Sequence, residues 1–132
     1  MVVLDERDVE AERLELRGVE HLEEEAALVL VDARLDEAAP LYREALVLLR
    51  ELDDRESIGL ALLNLTCVDV IGSQPAAARA DLLEVLVLEA ETGSIRLAQC
   101  ALEVGSALAA ELGDSPRCAQ LLGAAEALAK TT

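Results

Sequence analysis

The side chains of this chain that could do chemistry are few, and most stand alone. His21 is the only histidine and sits in Glu20-His21-Leu22-Glu23-Glu24-Glu25, where a carboxylate–imidazole pair could act as a general base or a metal ligand. No second histidine completes a common metal set or triad, and Glu23, Glu24 and Glu25 point in three directions around a helix. The segment therefore reads as a solvated acidic face. Cys67, Cys100 and Cys118 are widely spaced with no CxxC, which argues for packed thiols rather than a preformed metal set. Asn64 is the one polar residue in Ala61-Leu62-Leu63-Asn64-Leu65; an amide there can hold the backbone of a ligand or bond another helix. No catalytic residue, cofactor site or metal site is expected.

The elements that carry these residues must be helices. Hydrophobic residues make up 53% of the 132, but aromatics only 1%, so Leu, Ala and Val must build the core. Leu and Ala favour helix, and the shortage of aromatic and β-branched bulk disfavours a sheet, which makes the class all-α. A chain of this length forms one domain with a core of its own. The net charge of −16, with Lys130 the only lysine, repels phosphate backbones and anionic bilayers. Direct nucleic-acid or membrane binding is not expected; basic or hydrophobic partners suit such a surface. The longest apolar run near the start, Ala26-Ala27-Leu28-Val29-Leu30-Val31, is too short to cross a bilayer, and neither a signal segment nor a transmembrane span is expected. Cysteine usage fits a reducing cytoplasm.

Periodicity and punctuation divide the chain into six helices. Val9, Leu14, Leu16, Val19, Leu22, Ala26, Val29 and Leu30 mark a first helix over 5–31, with Gly18 able to bend or split it. A second runs from about Asp36 to Leu52, where Pro40 implies either a start near 37–39 or a local distortion. Asp53 and Glu56 resemble a capping box that opens a third helix over 55–71, and Gly72 ends it. A fourth over 75–91 starts at Pro75 and stops at Thr92-Gly93. Ser94 caps a fifth that runs to Leu112, and Asp114-Ser115-Pro116 opens a sixth that lasts to about Ala129. Connections this short make successive antiparallel hairpins.

The helices repeat. Glu44-Ala45-Leu46-Val47-Leu48 returns 40 residues later as Glu84-Val85-Leu86-Val87-Leu88, and Ala38 and Tyr42 map onto Ala78 and Leu82 at the same offset. A weaker third copy aligns Pro75 with Pro116, Ala78 with Ala119 and Gly72 with Gly113 at a spacing of 41. The small residue at 38, 78 or 119, a bulky one four positions on and an Ala-Leu-like pair three further resemble the tetratricopeptide repeat. That resemblance implies a right-handed solenoid of three helix pairs, at about 5–52, 55–92 and 94–130, with Ala45 and Ala78 buried where helices approach closely. Leu41-Tyr42-Arg43-Glu44-Ala45-Leu46, Leu62-Leu63-Asn64-Leu65 and the stretch from Gly113-Asp114-Ser115-Pro116 to Ala127-Leu128 are similar to the repeat tails of bacterial ATP-binding LuxR-type regulators and predicted signalling ATPases. This narrower resemblance implies a sensing or protein-interaction module, either a stand-alone relative or a detached tail. The sequence has no P-loop and no basic recognition helix.

In such a solenoid Leu60, Leu63, Asn64, Cys67 and Val70 would line a concave groove, and Cys67 and Cys100 would lie on the first helices of successive units. The expected function is non-catalytic binding of a protein or peptide. The alternative is a sensor whose groove holds an apolar effector, and a metal-binding acidic enzyme is a third class. The stripe Cys118, Leu121, Leu122, Ala125 and Leu128 on the last helix has no later element to cover it, from which a homodimer is expected.

Overall fold

A backbone position with positive φ recurs every 20 residues: Asp53 (52°), Ser73 (57°), Gly93 (65°) and Gly113 (77°). Each reverses the chain between two helices. The computed structural model describes Arg7, Glu10, residues 17–22 and residues 35–131. Its five full helices are α1 (Leu35–Leu52), α2 (Arg55–Ile71), α3 (Pro75–Thr92), α4 (Ile95–Glu111) and α5 (Ser115–Lys130). Residues 17–22, Gly18 included, are also helical, and no strand occurs among the described residues. Most of the expected first helix, including Glu23, Glu24, Glu25 and the apolar run at 26–31, lies outside them.

The residue after each left-handed position starts the next helix. Asp54, Ser94 and Asp114 accept hydrogen bonds from the backbone N–H groups of Ser57 (3.2 Å), Leu97 (3.1 Å) and Arg117 (3.1 Å), which satisfies one otherwise orphaned donor in each first turn. Gln74 makes no such bond; Pro75 follows it at the first helical position, where a missing N–H costs nothing. The capping box expected from Asp53 and Glu56 does not form. Asp53 takes the left-handed position, and the cap passes to Asp54, whose carboxylate also accepts from the Ser57 hydroxyl at 2.8 Å.

The repeat is regular at 40 residues. α1 and α3 have 18 residues each and begin at 35 and 75; α2 and α4 have 17 each and begin at 55 and 95. The spacing of 41 expected for the last copy is replaced by 40, because Ser73 rather than Gly72 is the counterpart of Gly113; Gly72 has φ of −80°. Pro116 is accordingly the second residue of α5, whereas Pro75 is the first of α3. Nor does α1 begin near 37–39: it runs unbroken through Pro40, its sixth residue. Pro40 supplies no N–H for the Asp36 carbonyl, and both residues are exposed, where solvent can meet that oxygen.

Consecutive helices pack against one another, and α2 also packs on α4, across the boundary between helix pairs. That places α2 at the centre, with Ile58, Ala61, Leu62, Leu63, Leu65 and Val68 all buried. The repeat partners Ala38 and Ala78, and Ala45 and Val85, have no exposed surface at all. Small side chains at these places let neighbouring helices close to contact, and Leu49 and Leu97 fill the spaces between them. Thr66, also fully buried, donates its hydroxyl to the Leu62 carbonyl at 2.8 Å and leaves no polar atom unmet. On α5 only Ala125 is buried, and Leu122 is 45% exposed.

Left-handed backbone strains an L-residue by roughly 1–2 kcal/mol, whereas glycine adopts it freely. Ser73 returns only an exposed hydroxyl contact with Glu111 at 3.2 Å. Ser73→Gly is therefore expected to stabilise the fold by about 0.5–1 kcal/mol, read as a higher urea midpoint at unchanged slope.

Candidate functional site

α2 and α4 lie close because Gly59 offers no side chain. A Cβ built there would stand 2.8 and 2.9 Å from the two methyl carbons of Leu97, which instead rest on the bare backbone of α2. Between the facing surfaces runs a cavity of about 480 Å³. On one wall α2 presents Leu60, Leu63, Asn64 and Cys67, whose three- and four-residue steps put them on one face. The other wall is Arg96, Cys100, Glu103 and Val104 of α4, with Leu49 of α1 and Val19 and Glu20 of the N-terminal segment closing one side. Four of the five residues expected to form the groove thus meet in one cavity. Val70, further along α2, is half-buried and outside the lining.

Of the facing wall the sequence reading anticipates only Cys100, on the first helix of the unit after that of Cys67; the rest follows from the period. Adding 40 to Leu60, Leu63 and Asn64 gives Cys100, Glu103 and Val104. Arg96, the counterpart of Glu56, stands 4.0 Å from that carboxylate, with the two side chains 70% and 45% exposed. A pair this open to solvent is worth little and leaves Arg96 available to a ligand. Glu20 and Glu103 outweigh Arg96, so the described lining carries one net negative charge.

The Asn64 side chain is half-buried in the lining and makes no hydrogen bond among the described residues. The interhelical bond that an amide at this place could have made is absent there. The carboxamide thus offers both a donor and an acceptor to the cavity. Burial pushes the Cys67 thiol up from its ordinary value, and Cys100 adds to the effect. Cys100 is raised by burial and then by Glu103, with Arg96 opposing. Both thiols are therefore protonated at neutral pH and are weak nucleophiles. Cys118 is half-buried on α5 and does not line this cavity. His21 is exposed beside Glu20, and no group of three His, Cys, Asp or Glu side chains among the described residues could hold a metal. No described helix is long and apolar enough to cross a membrane.

No family model matches this sequence, and no curated protein or solved structure matches it either.

A second group of titratable side chains joins α2 to α3. Asp69, 7% exposed, lies within hydrogen-bonding reach of Asp81, so the two carboxyl groups can share a proton. Asp81 is pushed up to about 7, first by burial, then by its hydrogen bond to Asp69 and that neighbour's charge, with Glu84 adding and Arg43 opposing. The folded chain holds this proton more tightly than the unfolded chain, in which a free Asp titrates near 4. The contribution is complete below about pH 4 and is lost as pH rises through about 7. The thermal midpoint is expected to fall between pH 5 and pH 8, and Asp81→Asn, which keeps a hydrogen-bond donor toward Asp69, should flatten that slope. An equal slope in the variant would place the pH dependence elsewhere.

Proposed function

We propose that this chain is a non-catalytic, tetratricopeptide-like scaffold whose helix pairs stack as a right-handed solenoid, and that the groove between α2 and α4 holds an extended segment of a partner protein. The observation that carries the reading is Asn64: a carboxamide without a described partner, set among Leu60, Leu63 and Cys67 and facing Arg96. An extended peptide needs such a donor–acceptor pair for its backbone, apolar walls for alternate side chains and open ends for the rest of its length. The equal 40-residue helix pairs and the packing of α2 on α4 are what a stacked array requires. The net charge of the groove and of the whole chain favours a segment that carries Lys or Arg between its apolar residues.

The resemblance to regulator tails gives this binding a regulatory role in a bacterial cytoplasm, without direct contact to nucleic acid or membrane and without a cofactor. A homodimer belongs to the same reading: α5 leaves Leu122 exposed, and a second copy of the helix would cover it. A small-molecule effector in the groove is a second reading, supported by a cavity of about 480 Å³, a size that suits a compact ligand.

Thermal shift on the full chain separates these readings, because only a ligand that prefers the folded state raises the midpoint. Synthetic peptides alternating Leu with Lys or Arg are expected to raise it, and their Glu counterparts to leave it unchanged. Asn64→Leu should weaken the basic peptides about tenfold by removing the paired backbone bonds. A response to metabolites without a response to peptides would favour the effector reading, and a response to divalent metals alone would contradict both.

A further inference from the structure

The α2–α3 hairpin carries two carboxyl groups at places where the repeat has apolar side chains. Forty residues after Asp69 stands buried Ala109, and forty before and after Asp81 stand Leu41 and Leu121, both half-buried. Asp69 and Asp81 thus replace apolar packing together, on facing helices and within hydrogen-bonding reach of each other. A carboxyl pair packs no better than the side chains it replaces; what it adds is a response to protons.

The pair stands behind the Asn64 groove. A helix turns about 100° per residue, so Asp69 lies about 200° round α2 from Cys67, on the side away from the cavity. Its carbonyl accepts from the Gln74 N–H at 2.7 Å, which ties the end of α2 into the turn. At the start of α2, Arg55 pairs with Glu91 of α3. The helix that presents Leu60, Leu63, Asn64 and Cys67 to the cavity is therefore held from behind at both ends.

The charges around the pair leave it responsive. From α1, Arg43 favours the ionised form of Asp81, whereas Arg50 is engaged with Glu84 at 2.8 Å. Glu84, three residues along α3, favours the protonated form. On α4, Arg96 and Glu103 line the cavity and Glu111 meets Ser73 at 3.2 Å. Once both carboxyl groups are ionised, two like charges, one of them buried, face each other across the seam between α2 and α3.

We propose that Asp69 and Asp81 form a proton-operated clamp that positions the α2 wall of the Asn64 groove: a shared proton holds α2 against α3, and its loss loosens the wall. As a regulator of ligand binding the clamp rests on the peptide reading of that groove; as a local change in α2 it does not. The effect stays local because each unit of a stacked array is stabilised by its nearest neighbours. α4 and α5, with Ala109 and Leu121 at the same places, have no such pair.

Hydrogen exchange of the ligand-free full chain at pH 5 and pH 8, corrected for the intrinsic exchange rate, tests the clamp. Amides of α2 from Leu60 to Asp69 are expected to lose about tenfold in protection at the higher pH, with those of α5 unchanged. Asp81→Asn should abolish the difference, and so should Asp69→Ala with Asp81→Leu, which copies the next unit. Titration with the alternating Leu/Lys peptides is expected to show an affinity about tenfold lower at pH 8 than at pH 5 in the parent and equal affinities in both variants. His21 and Glu20 are present in every protein, so a pH response that survives in both variants would overturn the clamp. Equal protection of α2 at the two pH values, protection lost evenly over all five helices, or a peptide affinity that ignores pH would overturn it too. Protection that responds as expected while no peptide binds at either pH would support the clamp and contradict the peptide reading instead.

Discussion

The contact of Leu97 with the bare backbone at Gly59 sets the spacing on which the rest of the structure depends. Leu97 has no exposed surface, and its methyl carbons occupy space that any side chain at position 59 would need. Glycine inside a helix costs roughly 0.5–1 kcal/mol relative to alanine, so α2 accepts a local weakness to bring α4 close. That approach joins one helix pair to the next, buries the most apolar stretch of α2 and turns the facing residues of the two helices into the walls of one groove. Without it the two hairpins would share only the single seam between α3 and α4.

A second constraint works along the chain. Left-handed residues at 53, 73, 93 and 113 give each described helix between them, with its turn, the same 20-residue length. Differences of function between units then come from single side chains set into equal positions. Asn64 offers an amide where Val104 offers none. α4 presents a polar and faintly negative face toward α2.

Much of this was legible in the sequence where residue type dictates local geometry. The bounds of α3 followed from Pro75 and Gly93, those of α4 from Ser94 and Gly113, and the repeat from the matching segments at 44–48 and 84–88. The left-handed turns at Asp53 and Ser73 were hidden, because there the connection between two packed helices forces a conformation that the residue does not announce. Pro40 differs for the opposite reason: a rule about helix interiors loses its force at an exposed position where solvent can reach the backbone. The α2 wall of the groove could be read from Asn64 and its apolar neighbours; the α4 wall required the 40-residue shift to be applied to α2. The Asp69–Asp81 pair is invisible in sequence, since nothing local joins two carboxylates on different helices.

The most direct measurement of the central claim is the stability of Gly59→Ala. Helix propensity alone would make this change stabilising by about 1 kcal/mol. If Leu97 is seated against the backbone with no space to move into, overpacking costs roughly 1–3 kcal/mol and outweighs the gain. The account predicts a lower urea midpoint for Gly59→Ala, and a smaller penalty for the same change when Leu97 is already alanine, because the methyl group then has room. A Gly59→Ala protein that is about 1 kcal/mol more stable than the parent would mean that α2 and α4 do not meet there, and the close approach that builds the groove would be contradicted.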